Sequence, residues 1–229
     1  GRSWQVISLP AMAGQASLVT ADVPASDGGT LYIAGPGIGV QRSVDEGRTW
    51  QPLSSGLPSQ DVIAFTIHRN QPETLYAAVA GEGIYQSEDA GQNWQKMDGG
   101  PAQPIRRLVH SDMEGSMQTG WLYAVSDDAV RLSMDCFCGW RPGGELGDGQ
   151  VYDVAYNSEA PKQVFVTTQQ GLLHSDNGGR TWQPVPADAA HDAKVAIALT
   201  PTGALYALEA DGEVRVSMDQ GDTWTAPDA

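Results

Sequence analysis

An eight-residue pattern recurs along the chain and constrains its fold more than any other feature. Clear copies are Ser43-Val44-Asp45-Glu46-Gly47-Arg48-Thr49-Trp50, Ser87-Glu88-Asp89-Ala90-Gly91-Gln92-Asn93-Trp94 and Ser217-Met218-Asp219-Gln220-Gly221-Asp222-Thr223-Trp224. Ser175-Asp176-Asn177-Gly178-Gly179-Arg180-Thr181-Trp182 is a fourth copy, with Asn177 where the others carry aspartate. Ser133-Met134-Asp135-Cys136-Phe137-Cys138-Gly139-Trp140 is a fifth and degenerate one. Their tryptophans lie 44, 46, 42 and 42 residues apart. A fixed period in this range marks a repeat architecture, whose units bury their faces against one another.

Each octet position suits a tight hairpin. Short Ser and Asp side chains hydrogen-bond to backbone groups close by and hold a turn shut. The fifth-position glycine allows φ > 0 without steric cost. The closing tryptophan brings a large apolar surface onto the next strand, so these indoles are expected to be buried.

Between octets the chain reads as short strands. In the second unit they are Asp61–His68, Thr74–Ala80, Gly83–Asp89 and Trp94–Met97. Strands this short, with loops this short, form antiparallel meanders. The first unit gives Ala16–Val23, Thr30–Ala34, Gly39–Asp45 and Thr49–Leu53, punctuated by glycine-rich turns. Leu31-Tyr32-Ile33, Leu75-Tyr76-Ala77, Leu122-Tyr123-Ala124, Val164-Phe165-Val166 and Leu205-Tyr206-Ala207 share one composition, apolar with an aromatic. That suits the buried middle of a sheet. No helical periodicity of useful length appears.

The units fall at about 16–54, 61–97, 105–143, 151–186 and 195–228, within one domain covering 1–229. The third departs most, with a long link Ser111–Gly120, an extra Trp121 and the two cysteines. The expected fold is all-β: a five-bladed β-propeller of four-stranded antiparallel blades. At the start, Gly1-Arg2-Ser3-Trp4 looks like the tail of another octet, and Gln5-Val6-Ile7-Ser8 alternates like an outer strand. Residues 1–8 are read as the outer strand that closes the ring against the last blade. The competing reading is a chain cut from a longer propeller.

The octet resembles the Asp-box, S-x-D-x-G-x-T-W, of the bacterial-neuraminidase-type repeat. In that family it joins the third and fourth strands of a propeller blade, on the face away from the site. The resemblance therefore implies structural roles for Ser43, Asp45, Gly47, Trp50, Ser87, Asp89, Gly91, Trp94, Ser133, Asp135, Trp140, Ser175, Asn177, Gly179, Trp182, Ser217, Asp219, Gly221 and Trp224, and no catalytic role for any of them. It also implies a site in the central depression of the opposite face. The loops expected there are 55–61, 98–105, 144–152 and 187–194, with 35–39, 80–83, 126–129, 168–171 and 209–213. Candidate binding residues at that channel mouth are Asp61, Glu82, Arg106, Arg107, Asp127, Asp153, Lys194 and Asp211, with Asp128, Gln169 and Glu209 beside them.

Sialidase is the enzyme such a resemblance brings first. It needs three arginines converging on a carboxylate, a Tyr activated by Glu, and an Asp acid/base. Those enzymes are six-bladed and carry an Arg-Ile-Pro-type segment, which is not found here. Of ten arginines, Arg2, Arg42, Arg48 and Arg180 lie in or beside octets. Other glycoside hydrolases need two carboxylates about 5–10 Å apart, a role open to Asp61, Glu82 and Asp153. No nucleophile elbow, zincin pattern or phosphate-binding glycine loop is found.

The net charge of −15, from 28 acidic and 13 basic side chains, argues against nucleic acid, whose phosphates need cations. No run of 18 apolar residues is long enough to span a membrane. Cys136 and Cys138 could form a local disulfide, remain thiols, or chelate a soft metal. A single chelating pair is short of the ligands zinc needs, so no metal and no cofactor is expected.

The chain is also similar to the photosystem II assembly-factor type of propeller. That similarity implies a non-enzymatic scaffold, periplasmic or secreted once a signal peptide is removed, presenting loops to a protein partner or membrane complex. Those propellers are seven-bladed and use a basic patch, whereas this chain has five units and is acidic. The rival reading is a carbohydrate-binding protein or glycoside hydrolase, with a glycan as partner.

Overall fold

A computed structural model describes residues 7–10, 17–24, 29–115, 120–134, 139–186 and 194–227. It is a five-bladed β-propeller. The first blade holds β1 (Thr20–Asp22), β2 (Leu31–Gly35), β3 (Gly39–Ser43) and β4 (Gln51–Pro52). The second holds β5 (Val62–Ile67), β6 (Leu75–Val79), β7 (Gly83–Ser87) and β8 (Gln95–Asp98). The third holds β9 (Arg107–Ser111), β10 (Trp121–Val125), β11 (Val130–Met134) and β12 (Arg141–Pro142). The fourth holds β13 (Val151–Asn157), β14 (Ala160–Thr168), β15 (Gly171–Ser175) and β16 (Gln183–Pro184). The fifth holds β17 (Lys194–Leu199), β18 (Leu205–Glu209) and β19 (Val214–Ser217), with Thr225 bridging Val216 as the start of a fourth strand. Within each blade the strands pair antiparallel in chain order.

The first outer strand is shorter than the sequence suggested, while the second, Gln95–Asp98, keeps the expected length one residue further on. Where Thr49–Leu53 was expected, only Gln51–Pro52 pairs. Pro52, Pro142 and Pro184 occupy the same place in three blades. The residue after each proline still donates its N–H to the third strand (Leu53 to Val40, Gly143 to Val130, Val185 to Leu172), so the proline leaves the ladder intact and removes a donor from the outer edge, which would otherwise invite another strand.

Four octets fold alike. The Ser43 hydroxyl accepts the Gly47 N–H at 2.8 Å and donates to Asp45 Oδ1 at 2.7 Å. Asp45 Oδ1 in turn accepts the Thr49 N–H at 2.8 Å, while Oδ2 accepts the Thr49 hydroxyl at 2.7 Å. The Ser-to-Gly bond recurs at Gly91, Gly179 and Gly221, at 2.9, 2.8 and 2.8 Å. Asn177 makes the same set, donating its amide to Thr181 Oγ1 at 2.7 Å. The fifth-position glycines have φ of 82 to 99°. The fourth positions, Glu46, Ala90 and Gln220, are left-handed too, a feature the glycine rule alone does not reveal. A Cβ on Gly91 would lie 3.0 Å from Leu53 of the preceding blade. In the degenerate octet Ser133 donates to the Gly139 carbonyl at 2.8 Å; Asp135, Cys136 and Cys138 lie outside the described residues.

Sheets pack face to face from the first blade to the fifth. The second-strand aromatics Tyr32, Tyr76, Tyr123 and Phe165 are all buried. Tyr32 stacks on Phe65 of the next blade at 5.8 Å, and Tyr76 on His110 of the next at 5.6 Å. Tyr123 donates its hydroxyl to the Gly178 carbonyl of the fourth blade at 3.3 Å. Fully burying a side chain of this size contributes roughly 1.5–3 kcal/mol, repeated at each junction. Indoles add a directed bond. Trp94 Nε1 donates to the Leu53 carbonyl at 2.6 Å, and Trp182 Nε1 to that of Gly143. Of the octet tryptophans Trp94 and Trp224 are buried; Trp50, Trp140 and Trp182 are half-buried, because the octets sit at the rim where one ring edge meets water.

Candidate binding site at the channel and its seam

First strands surround the axis, and their outward ladder edges need partners there. Side chains from the preceding blade supply them. Asp22 on β1 accepts the Ile67 N–H at 3.1 Å and the Thr66 hydroxyl at 3.4 Å through Oδ2. Thr66 Oγ1 then accepts the His110 N–H of the third blade at 3.3 Å. Asp153 on β13 accepts the Ile197 N–H of the fifth blade at 3.1 Å through Oδ2. Its Oδ1 accepts the Val154 N–H at 2.9 Å and Arg107 Nε at 3.2 Å. Burial pushes the Asp22 and Asp153 carboxyls above the ordinary carboxylate value; backbone donors and Arg107 oppose that rise.

Within the channel a cavity of about 210 Å³ is lined by Asp22, Thr66, His68, Arg107, His110 and Tyr156, among others. His68 and His110 stack with ring centres 3.9 Å apart. The Nδ1 of His68 accepts the Asn70 and Gln71 N–H groups, capping its loop, and that of His110 accepts the Arg69 N–H. Asn157 caps the matching loop of the fourth blade through the Glu159 N–H.

A second and larger space, about 500 Å³, lies between the fifth and first blades. Val19 to Ala21 form one wall, Tyr206 to Leu208 the other, and Arg106, Arg107 and Tyr152 line it as well. Val19 is 40% exposed and Leu208 38%.

The sequence-derived mouth residues divide between these features. Arg107 and Asp153 meet in the channel, and Arg106 joins them along the larger space. Arg106 pairs with Asp127 at 2.7 Å on the exposed rim. Lys194 lies 3.6 Å from the buried Glu209 and 4.6 Å over the Trp224 ring. Asp61, Glu82 and Asp211 are exposed and hold turns. Asp61 accepts the Ala80 N–H, Glu82 donates its N–H to Val79, and Asp211 Oδ1 accepts the Glu213 N–H. These three neither meet one another nor line either space. Sequence reasoning missed Asp22, Thr66 and His110. The available signal was Asp22 at the end of an otherwise apolar first strand.

No protein-family model and no curated protein sequence matches the chain. Solved structures are similar in fold. A GH74 xyloglucanase from Xanthomonas campestris superposes with TM-score 0.66 at 17% identity, over 91% of this chain and 38% of that one. A GH74 enzyme from Niastella koreensis gives 0.64 at 15%, over 88% and 37%. YCF48 bound to D1 peptide gives 0.64 at 16%, over 93% and 69%. The chain thus spans little more than a third of the GH74 enzymes. At these identities the likeness establishes the β-propeller fold alone.

Proposed function

We propose that this chain is a binding propeller of the Asp-box kind, acting outside the cytoplasm, and that its channel-mouth face holds a protein partner. The observation that carries the reading is the state of the channel carboxylates. Asp22 and Asp153 are both engaged by backbone N–H groups of the next blade, and Asp153 also by Arg107. Proton transfer to a substrate would break the bonds that join the blades. The larger space is lined by apolar Val19, Ala21, Val195 and Leu208, with Tyr152, Tyr206 and the Arg107–Asp153 pair among them and Arg106 at its edge. Such a surface suits recognition of a peptide segment by shape and charge. A similar propeller, YCF48, is known with a peptide bound.

Crosslinking of the purified protein in a native extract, with mapping by mass spectrometry, tests this. The expected result is one protein crosslinked to loops 80–83 and 126–129, lost in Arg106→Glu. That variant should leave Tm nearly unchanged, because the Arg106–Asp127 pair is exposed. Crosslinks confined to the octet face would overturn the reading.

A glycan ligand is the second reading. Half-buried Tyr152 and Tyr206 line the same space, and tyrosine faces stack on sugar rings. Oligosaccharide binding on a glycan array, together with capture of no protein, would favour it.

A further inference from the structure

We propose that the seam between the fifth and first blades is a docking slot for one further blade of the same octet repeat, leading into Ile7 and Ser8. Three observations meet there. First, two indoles bond across their junctions to the end of the preceding outer strand. Trp94 donates to the carbonyl three residues after Trp50, and Trp182 to the carbonyl three residues after Trp140, while Trp224 bonds to Gly221 of its own octet. Trp50 donates to Ser8 at 3.0 Å, four residues after Trp4. Ser8 therefore receives the bond that the end of a preceding outer strand receives at those two junctions. A Cβ on Gly47 would likewise meet Ile7, as one on Gly91 would meet Leu53.

Second, that preceding blade is not the fifth. Its outer position is already taken, since Val216 and Thr225 exchange both backbone bonds, at 2.8 and 2.9 Å. Two outer strands cannot share one edge, so Ile7 and Ser8 do not extend the fifth sheet.

Third, the two faces at the seam are the ones every other junction covers. Tyr32, Tyr76, Tyr123 and Phe165 are buried by the following blade, whereas Tyr206, in the same place on β18, is only half-buried and lines the open space. Across from it Val19 is 40% exposed. A sheet with the chemistry of the second blade fits both sides. It would set a phenylalanine against Tyr206, as Phe65 meets Tyr32, and an aromatic against β1.

The test is a graft. A copy of residues 55–90 placed directly ahead of Gly1 supplies three strands and the first half of an octet, which Gly1-Arg2-Ser3-Trp4 completes. Hydroxyl-radical footprinting reads the Tyr206 side chain, with light scattering for mass. The expected result is a monomer whose Tyr206 reactivity falls from well above that of Tyr76 to its level, with a raised Tm. Tyr206 already as protected as Tyr76 in the ungrafted monomer would overturn the proposal, because the ring would then close on itself. A dimer of the ungrafted chain that protects Tyr206 would also overturn it, naming a second copy as occupant. Unchanged Tyr206 reactivity in a folded graft does the same. Should the graft not fold, Tyr206→Ala and Tyr76→Ala in the ungrafted chain decide. The slot predicts a small Tm loss for the first and a large one for the second, and equal losses contradict it. This inference does not depend on the partner reading.

Discussion

The Trp94 indole N–H donates to the Leu53 carbonyl at 2.6 Å, tying the second blade's octet to the end of the first blade's outer strand. Trp94 is buried and packs in the cluster that Tyr32, Phe65 and Leu75 share. One side chain thus joins the turn that ends one sheet to the packing between two.

Trp94→Ala should lose about 3–5 kcal/mol of unfolding free energy, as truncation of a core aromatic does. Trp94→Phe keeps part of the packing but strands the Leu53 carbonyl, at about 1–3 kcal/mol. Urea titrations compare the two. A Phe variant as unstable as the Ala variant would assign the whole effect to the hydrogen bond.

Acid should act on the octets first. The Thr49 and Thr223 hydrogen bonds hold the Asp45 and Asp219 carboxyls at about 2, and Asn93 holds that of Asp89 below its ordinary value. A carboxyl lowered in the folded state stabilises above its unfolded value of 3.8, and that contribution is lost as pH falls from there toward 2. Asn177 shows that an amide fills the position with the same bonds. The triple variant Asp45→Asn, Asp89→Asn, Asp219→Asn should therefore fold normally and show a flatter loss of Tm between pH 4 and about pH 2. An unchanged slope would place the acid sensitivity elsewhere.

Asp22 and Asp153 act with the opposite sign. Their carboxyls are raised, so their contribution is fullest below 3.8 and is lost as pH rises through the raised value. Removing the guanidinium with Arg107→Met should widen that loss by leaving the Asp153 charge without its cation. The expected cost is roughly 2–3 kcal/mol near neutrality, less than for a fully buried pair because Arg107 is 32% exposed. It should shrink toward pH 4. Thermal melts across that range check it, and a cost independent of pH would contradict the assignment.

How far the fold was legible follows from where its signals lie. The octet is local: Ser43, Asp45, Gly47 and Thr49 bond to one another within seven residues, so sequence order carries the turn almost whole. Tyr32, Tyr76, Tyr123 and Phe165 repeat at one strand position and were legible as core for the same reason. The channel was not legible, because its bonds span about one repeat. Asp22 reaches Ile67, Thr66 reaches His110 and Asp153 reaches Ile197, and no two of these acceptors share a residue type and register. Asp61, Glu82 and Asp211 were chosen for loop position alone, and loop position does not separate a residue that holds a turn, through its main chain as Asp61 and Glu82 do or its carboxylate as Asp211 does, from one that faces the axis.

Indole hydrogen exchange, followed by NMR on protein labelled with ¹⁵N at tryptophan, measures the junctions directly. Trp94 and Trp182, whose N–H groups donate to carbonyls of the preceding blade, should exchange far more slowly than a free indole. Trp94→Phe should remove one of the slow signals. Exchange of both at the free-indole rate would contradict the claim that these turns pin the sheets around the axis.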